Sequence, residues 1–116
     1  MNTKICYMYR DASNYKMYNM AVLNGQLTDK QKSTIFSCLH DGEWFIPFAV
    51  GLDEERFSDF NPDEDHPWFE LDEYSFEDTV ANPTVNITPA QLVEAFKVCK
   101  PMWSKLEYEA MLRLTV

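Results

Sequence analysis

The segment Lys4–Arg10, KICYMYR, constrains the fold more than any other part of the chain. Ile5, Tyr7 and Tyr9 alternate with Cys6 and Met8, and a period of two in aromatic and β-branched residues specifies a strand with one apolar face. DASNYK, residues 11–16, is rich in turn formers, and YNMAVL, residues 18–23, reads as a second strand antiparallel to the first. Asn24-Gly25 ends that strand, because glycine accepts positive φ and asparagine tolerates it.

Helix signals follow. Thr28 and Gln31 have the spacing of a capping box, in which each side chain satisfies an orphan amide of the first turn. Ile35, Phe36 and Leu39 then share one helical face, and Gly42 offers a C-terminal stop. The next run, EWFIPFAVGL, is strongly apolar, but Pro47 interrupts it, which predicts a short edge strand or a packed loop. Residues 61–67 read as an extended loop held by Pro62 and Pro67, leading into an edge strand over 68–76. Thr88-Pro89-Ala90-Gln91 is a second capping box with proline at the first helical position. Its apolar face carries Leu92, Val93, Phe96 and Cys99, and Pro101 ends it. Ser104 and Glu107 repeat the capping spacing, so a third helix is expected, although residues 104–116 also suit a terminal strand. Trp103 and that last apolar stripe either seal a monomer or form a homodimer face.

This order predicts one α+β domain over residues 1–116: a two-layer fold in which a three- to four-stranded, mainly antiparallel sheet is covered by two to three helices. The 116 residues, 46% hydrophobic, suffice for a core without staples. The three cysteines are an odd set at wide spacing, which argues against a disulfide framework and for a reducing, cytoplasmic setting. No signal-peptide pattern opens the sequence and no apolar run is long enough to span a membrane, so no membrane role is expected.

The net charge is −9, and its distribution is uneven. Residues 53–78 hold twelve acids and the single base Arg56, a local charge of −11 on a body that is otherwise +2. Such a stretch repels polyanions, which disfavours direct nucleic-acid binding, and it attracts a basic protein surface or a cation. Asp59, Asn61, Asp63 and Glu70 occupy the first, third, fifth and twelfth positions of a calcium loop. Glu64 stands where that loop needs glycine, and two prolines fall inside it, so no metal is expected. His66 lies among carboxylates, where an imidazole serves as a base or as a solvated surface group. His40 sits near a helix C-terminus, where capping suits it. Cys38 and His40 point about 200° apart on a helix and cannot act as a nucleophile–base pair. No phosphate loop, nucleophile elbow or zinc motif occurs, and no cofactor is expected.

Two surfaces remain as candidates. Asp63, Glu64, Asp65, Trp68, Glu70, Asp72, Glu73 and Tyr74 combine carboxylates with aromatic anchors and suit a basic partner. Tyr9, Arg10, Asp11, Asn14, Lys16 and His66 mix a guanidinium fork, stacking rings and amide groups, which suits a small polar ligand or a hydrolytic site. The plainer account of the second set is that Asp11 and Asn14 build a turn while Arg10 or Lys16 pairs with the acidic stretch.

YMYRDASNYKMYNMAVLNGQLT, FIPFAVGL and DHPWFEL together resemble a family of short bacterial proteins of unassigned activity, some carried on mobile elements. In that family a Y-R-D-x-x-N-Y-K turn precedes a strand and a capped helix, and a D-H-x-W strand follows. The resemblance covers most of residues 5–98. It implies no catalytic residue, only that the turn at Tyr9–Lys16, Ile46–Leu52 and Asp65–Leu71 converge. Together these features lead to the expectation of a small acidic interaction protein without catalytic activity. A phage or mobile-element accessory protein that covers a nucleic-acid-binding groove of its partner is the specific version.

Overall fold

The computed structural model describes residues 1–57 and 59–115. The alternation at the N-terminus forms β1, Asn2–Arg10, and the turn returns the chain as β2, Lys16–Leu23, antiparallel in the register Tyr7↔Asn19 and Arg10↔Lys16. Asn14 takes φ 67 inside that turn, a conformation asparagine tolerates better than most residues. Asp11 accepts the Tyr15 amide through Oδ1, which closes it.

Helix α1, Asp29–Ser37, begins at the anticipated capping box, with both reciprocal bonds of Thr28 and Gln31 present. It ends earlier than Gly42. Cys38 is its C-cap, and Gly42 instead takes φ 72 in the turn to the next strand. The chain leaves the helix there because His40 pairs its backbone with Trp44, entering the sheet. Strand β3, Trp44–Phe45, is two residues long, and Pro47–Val50 forms a 3-10 turn. The proline therefore ends a short edge strand.

The acidic stretch departs from the expected loop and single edge strand. Residues 61–65 fold into a compact turn, in which the amides of Glu64 and Asp65 both donate to the Asn61 carbonyl and the Asn61 amide donates to Asp65 Oδ2. The strand is split in two. β4, Phe69–Glu70, lies inside the sheet between β1 and β3, and β5, Phe76–Thr79, pairs with the other end of β1. Between them the chain loops out, with Asp72 accepting the Tyr74 amide and Ser75 Oγ accepting the Asp72 amide. One β1 strand thus carries β2 on one side and both β4 and β5 on the other, and the order β2-β1-β4-β3 plus β5 gives five antiparallel strands.

Helix α2, Pro89–Cys99, starts at its predicted box, and Leu92, Phe96 and Cys99 are buried on its inner face. A 3-10 turn, Lys100–Met102, leads directly into α3, Trp103–Leu114, so the C-terminal segment is helix and not strand. Ser104 does not cap it. The preceding Met102 has φ −114 and ψ 4, and the linkage leaves no extended residue where a cap can act.

The helices cover only one face of the sheet. On that face Ile5, Tyr7, Tyr9, Phe45 and Phe69 pack against Ile35, Leu92 and Phe96 in one contiguous core. Each of these side chains contributes about 1.5–3 kcal/mol by leaving water. Trp103 is 4% exposed and donates its indole N–H to the Cys38 carbonyl, so it joins α3 to the end of α1 within the chain. Among the described residues, no helix is long and apolar enough to cross a membrane.

Candidate functional site

The two candidate surfaces meet. His66 Nε2 lies 2.7 Å from the Arg10 carbonyl, so the turn of β1 and β2 and the acidic turn do converge. Their polar atoms, however, satisfy one another. His66 Nδ1 accepts the Trp68 amide, which makes Nε2 the protonated nitrogen and a donor to Arg10. Tyr9 is fully buried and donates its hydroxyl to Asp65, and Ser13 donates to Glu64. Arg10 donates to Asn14 Oδ1 and pairs with Glu70 at 3.1 Å. Lys16 is exposed. The set is a clamp that fastens the acidic turn to the hairpin, with no imidazole nitrogen left to accept a substrate proton.

Burial pushes the hydroxyls of Tyr7 and Tyr9 to less acidic values. Nearby carboxylates add to this at Tyr7, and the hydrogen bond to Asp65 adds to it at Tyr9. Both phenols therefore stay protonated as donors. Burial raises the Cys99 thiol as well, with Cys38 adding to the shift, so that thiol is a poor nucleophile.

Arg56, the only base in the acidic stretch, is central to a second network. Its guanidinium lies 5.0 Å from the Tyr9 ring centroid and 4.9 Å from that of Phe69. It donates to the His66 and Pro67 carbonyls and pairs at 3.1 Å with Glu54. Glu54, whose side chain is 6% exposed, also accepts from Arg113 of α3 and from the Phe48 amide. One buried carboxylate thus ties the chain before the acidic turn to the last helix. In sequence, Arg56 stands out only as a lone base among acids, and its partners are distant in the chain.

The calcium-loop residues do not gather. Glu70 is held by Arg10, Asn61 Oδ1 accepts the Asp63 amide, and no group of three His, Cys, Asp or Glu side chains suited to a metal forms among the described residues. Of the proposed partner-facing residues, Asp63, Asp72, Glu73 and Tyr74 are exposed, whereas Glu64, Asp65, Trp68 and Glu70 are half-buried and bonded within the chain.

Among the described residues, no helix covers the surface opposite the core where Tyr18 and Met20 of β2 stand exposed. Side chains at even positions of β1 point there, and the pairs Met8↔Tyr18 and Cys6↔Met20 place sulfur and aromatic groups side by side. Tyr18, Met20 and Tyr74 are 69%, 62% and 82% exposed. A depression of about 420 Å³ runs between Lys16 and Tyr18 on one wall and Glu70, Asp72 and Tyr74 on the other. A second, of about 370 Å³, adjoins it across Arg10, Glu43 and Glu70 and is lined by His40, Trp44 and Trp68. Sequence reasoning missed Glu43 and Trp44. The alternation in EWF separates Trp44 from core-facing Phe45, but nothing local shows that Trp44 neighbours Glu70.

Comparisons with family models, with curated proteins and with solved structures return no match.

Proposed function

We propose that this chain is a small acidic interaction protein, working in the cytoplasm, that engages a basic surface of a partner protein through its uncovered sheet face. The observation that carries this reading is the exposed row of Tyr18, Met20 and Tyr74 beside the carboxylates of residues 63–78. Exposed aromatic and methionine side chains supply anchoring area, and surrounding carboxylates steer a basic partner and reject polyanions. The committed polar atoms around His66 favour this over a hydrolytic site.

The resemblance to short mobile-element proteins supports a narrower version, in which the carboxylates cover a nucleic-acid-binding groove of the partner. The test is capture of partners by immobilised protein at low and high salt. Recovered proteins enriched in basic grooves and released by salt are the expected result. Capture that is insensitive to salt, or without enrichment of basic proteins, counts against the reading. Tyr18→Ser with Met20→Ser removes the anchors while leaving the charge, and should weaken capture without unfolding the chain.

A further inference from the structure

We infer that the depression between Trp44, Trp68 and Glu43 is a receptor for an arginine side chain on the basic partner, an inference that rests on the function proposed above. Strand alternation builds this pocket. Phe45 and Phe69 point into the core, so Trp44 and Glu70, paired in register, point together to the open face. Trp68, the residue before β4, lines the same pocket beside Arg10, and its ring also meets Trp103 of α3 edge-on with centroids 5.9 Å apart.

The aromatic walls are held in place. Trp68 stacks on His40 with ring centroids 4.7 Å apart and planes at 10°, and its indole N–H donates to Glu107 at 2.6 Å. The His40 backbone is bonded in turn to Trp44. Trp44 is half-buried, lines the pocket and forms no ring–ring contact among the described residues.

Charge in the pocket favours a cation. Asp11, Glu43 and Glu70 line it together with Arg10, and Arg10 is already neutralised by Glu70. Glu43 and Asp11 have no ion-pair partner among the described residues. An aromatic face beside unpaired carboxylates is the chemistry that recognises organic cations. A guanidinium fits better than an ammonium, since it is weakly hydrated, stacks flat on an indole and offers a fork to a carboxylate. The partner's cation also explains a pocket that opens on the same face as the Tyr18 and Met20 anchors.

The test is a titration of the folded protein with N-acetyl-arginine methylamide, followed by the indole N–H resonances of Trp44 and Trp68, with the lysine analogue and choline as parallel probes. The expected result is a saturable shift at Trp44 with the arginine probe and weaker responses to the other two. Trp44→Leu should lower affinity by about tenfold, and Glu43→Gln, at an exposed position, by about fivefold. The conservative Glu43→Gln keeps the test decisive if Trp44→Leu perturbs folding. No saturable shift, tighter binding of choline, or unchanged affinity in Glu43→Gln overturns the inference. If the wild type captures salt-sensitive basic partners and Trp44→Leu/Glu43→Gln captures them equally, the arginine receptor fails and the broader function stands. If the arginine probe binds but no basic partner is captured, the broader function fails, together with the assignment of the arginine to a partner.

Discussion

The two faces of the sheet are made from the same strands and have opposite chemistry. On the covered face, Ile5, Tyr9, Phe45 and Phe69 are fully buried beneath the helices. On the open face, Tyr18 and Met20 are more than three-fifths exposed, and charged side chains such as Lys4, paired with Glu77 at 3.1 Å, lie beside them. Period-two alternation alone separates these sets, so one chain segment supplies both a core and a presentable surface. The difference teaches that stability and binding should respond to different substitutions in the same strand.

The largest expected effect tests the covered face. Phe69→Ala removes the ring that meets Tyr7 and Tyr9 and lies beneath the Arg56 guanidinium. It should cost about 3–5 kcal/mol in urea unfolding. Glu54→Gln comes next, because it leaves Arg56 and Arg113 without their shared carboxylate. A loss of about 3 kcal/mol is expected, since breaking one side of a buried pair strands the other charge. A loss below about 0.5 kcal/mol would place this network with ordinary surface pairs.

Thr3→Val is a smaller probe of the same side. Thr3 is fully buried, and its hydroxyl donates to the Gly25 carbonyl and accepts the Leu27 amide. The substitution should cost about 1–3 kcal/mol by leaving these backbone groups unpaired. Alkaline pH tests the core without mutation. Tyr7 and Tyr9 titrate higher in the folded chain than the ordinary value of 10.0. The unfolded chain therefore releases these protons first, so the stability they contribute is complete below pH 10.0 and falls as pH rises above it. Urea midpoints should begin to drop as pH rises above 10.0 and keep falling with further alkali, and Tyr7→Phe should flatten that drop. The smallest stability effect belongs to the open face: Tyr18→Ser with Met20→Ser should shift unfolding by no more than about 0.5 kcal/mol per residue. A large loss there would erase the contrast between the faces.

Legibility in the sequence followed the range of the forces involved. The capping boxes at Thr28 and Thr88 were readable because each is complete within four residues. The first hairpin was readable because alternation and turn chemistry are local, and its register follows from both. The segment 68–76 was misread as a single strand because its alternation is continuous, while the split into β4 and β5 depends on β1 offering only two short stretches for pairing. The Ser104 cap failed for a related reason. Its spacing was correct, but the 3-10 turn at Lys100–Met102 removes the extended backbone that a cap requires. In the candidate site, the approach of Arg10 to the acidic stretch was anticipated, whereas Arg56, Trp44 and Glu43 were not singled out.

The sequence alone determined the α+β class, the hairpin, the starts of α1 and α2, the apolar faces and the concentration of acid in residues 53–78. These rest on periodicity, backbone preference and composition, all of which act over a few residues. Tertiary structure decided which carboxylates are held and which face solvent. It also decided that the helices cover one face only, and that Trp44, Trp68 and Glu43 surround one pocket. Those outcomes depend on pairings between residues tens of positions apart, where the choice is made by the packing of the whole core.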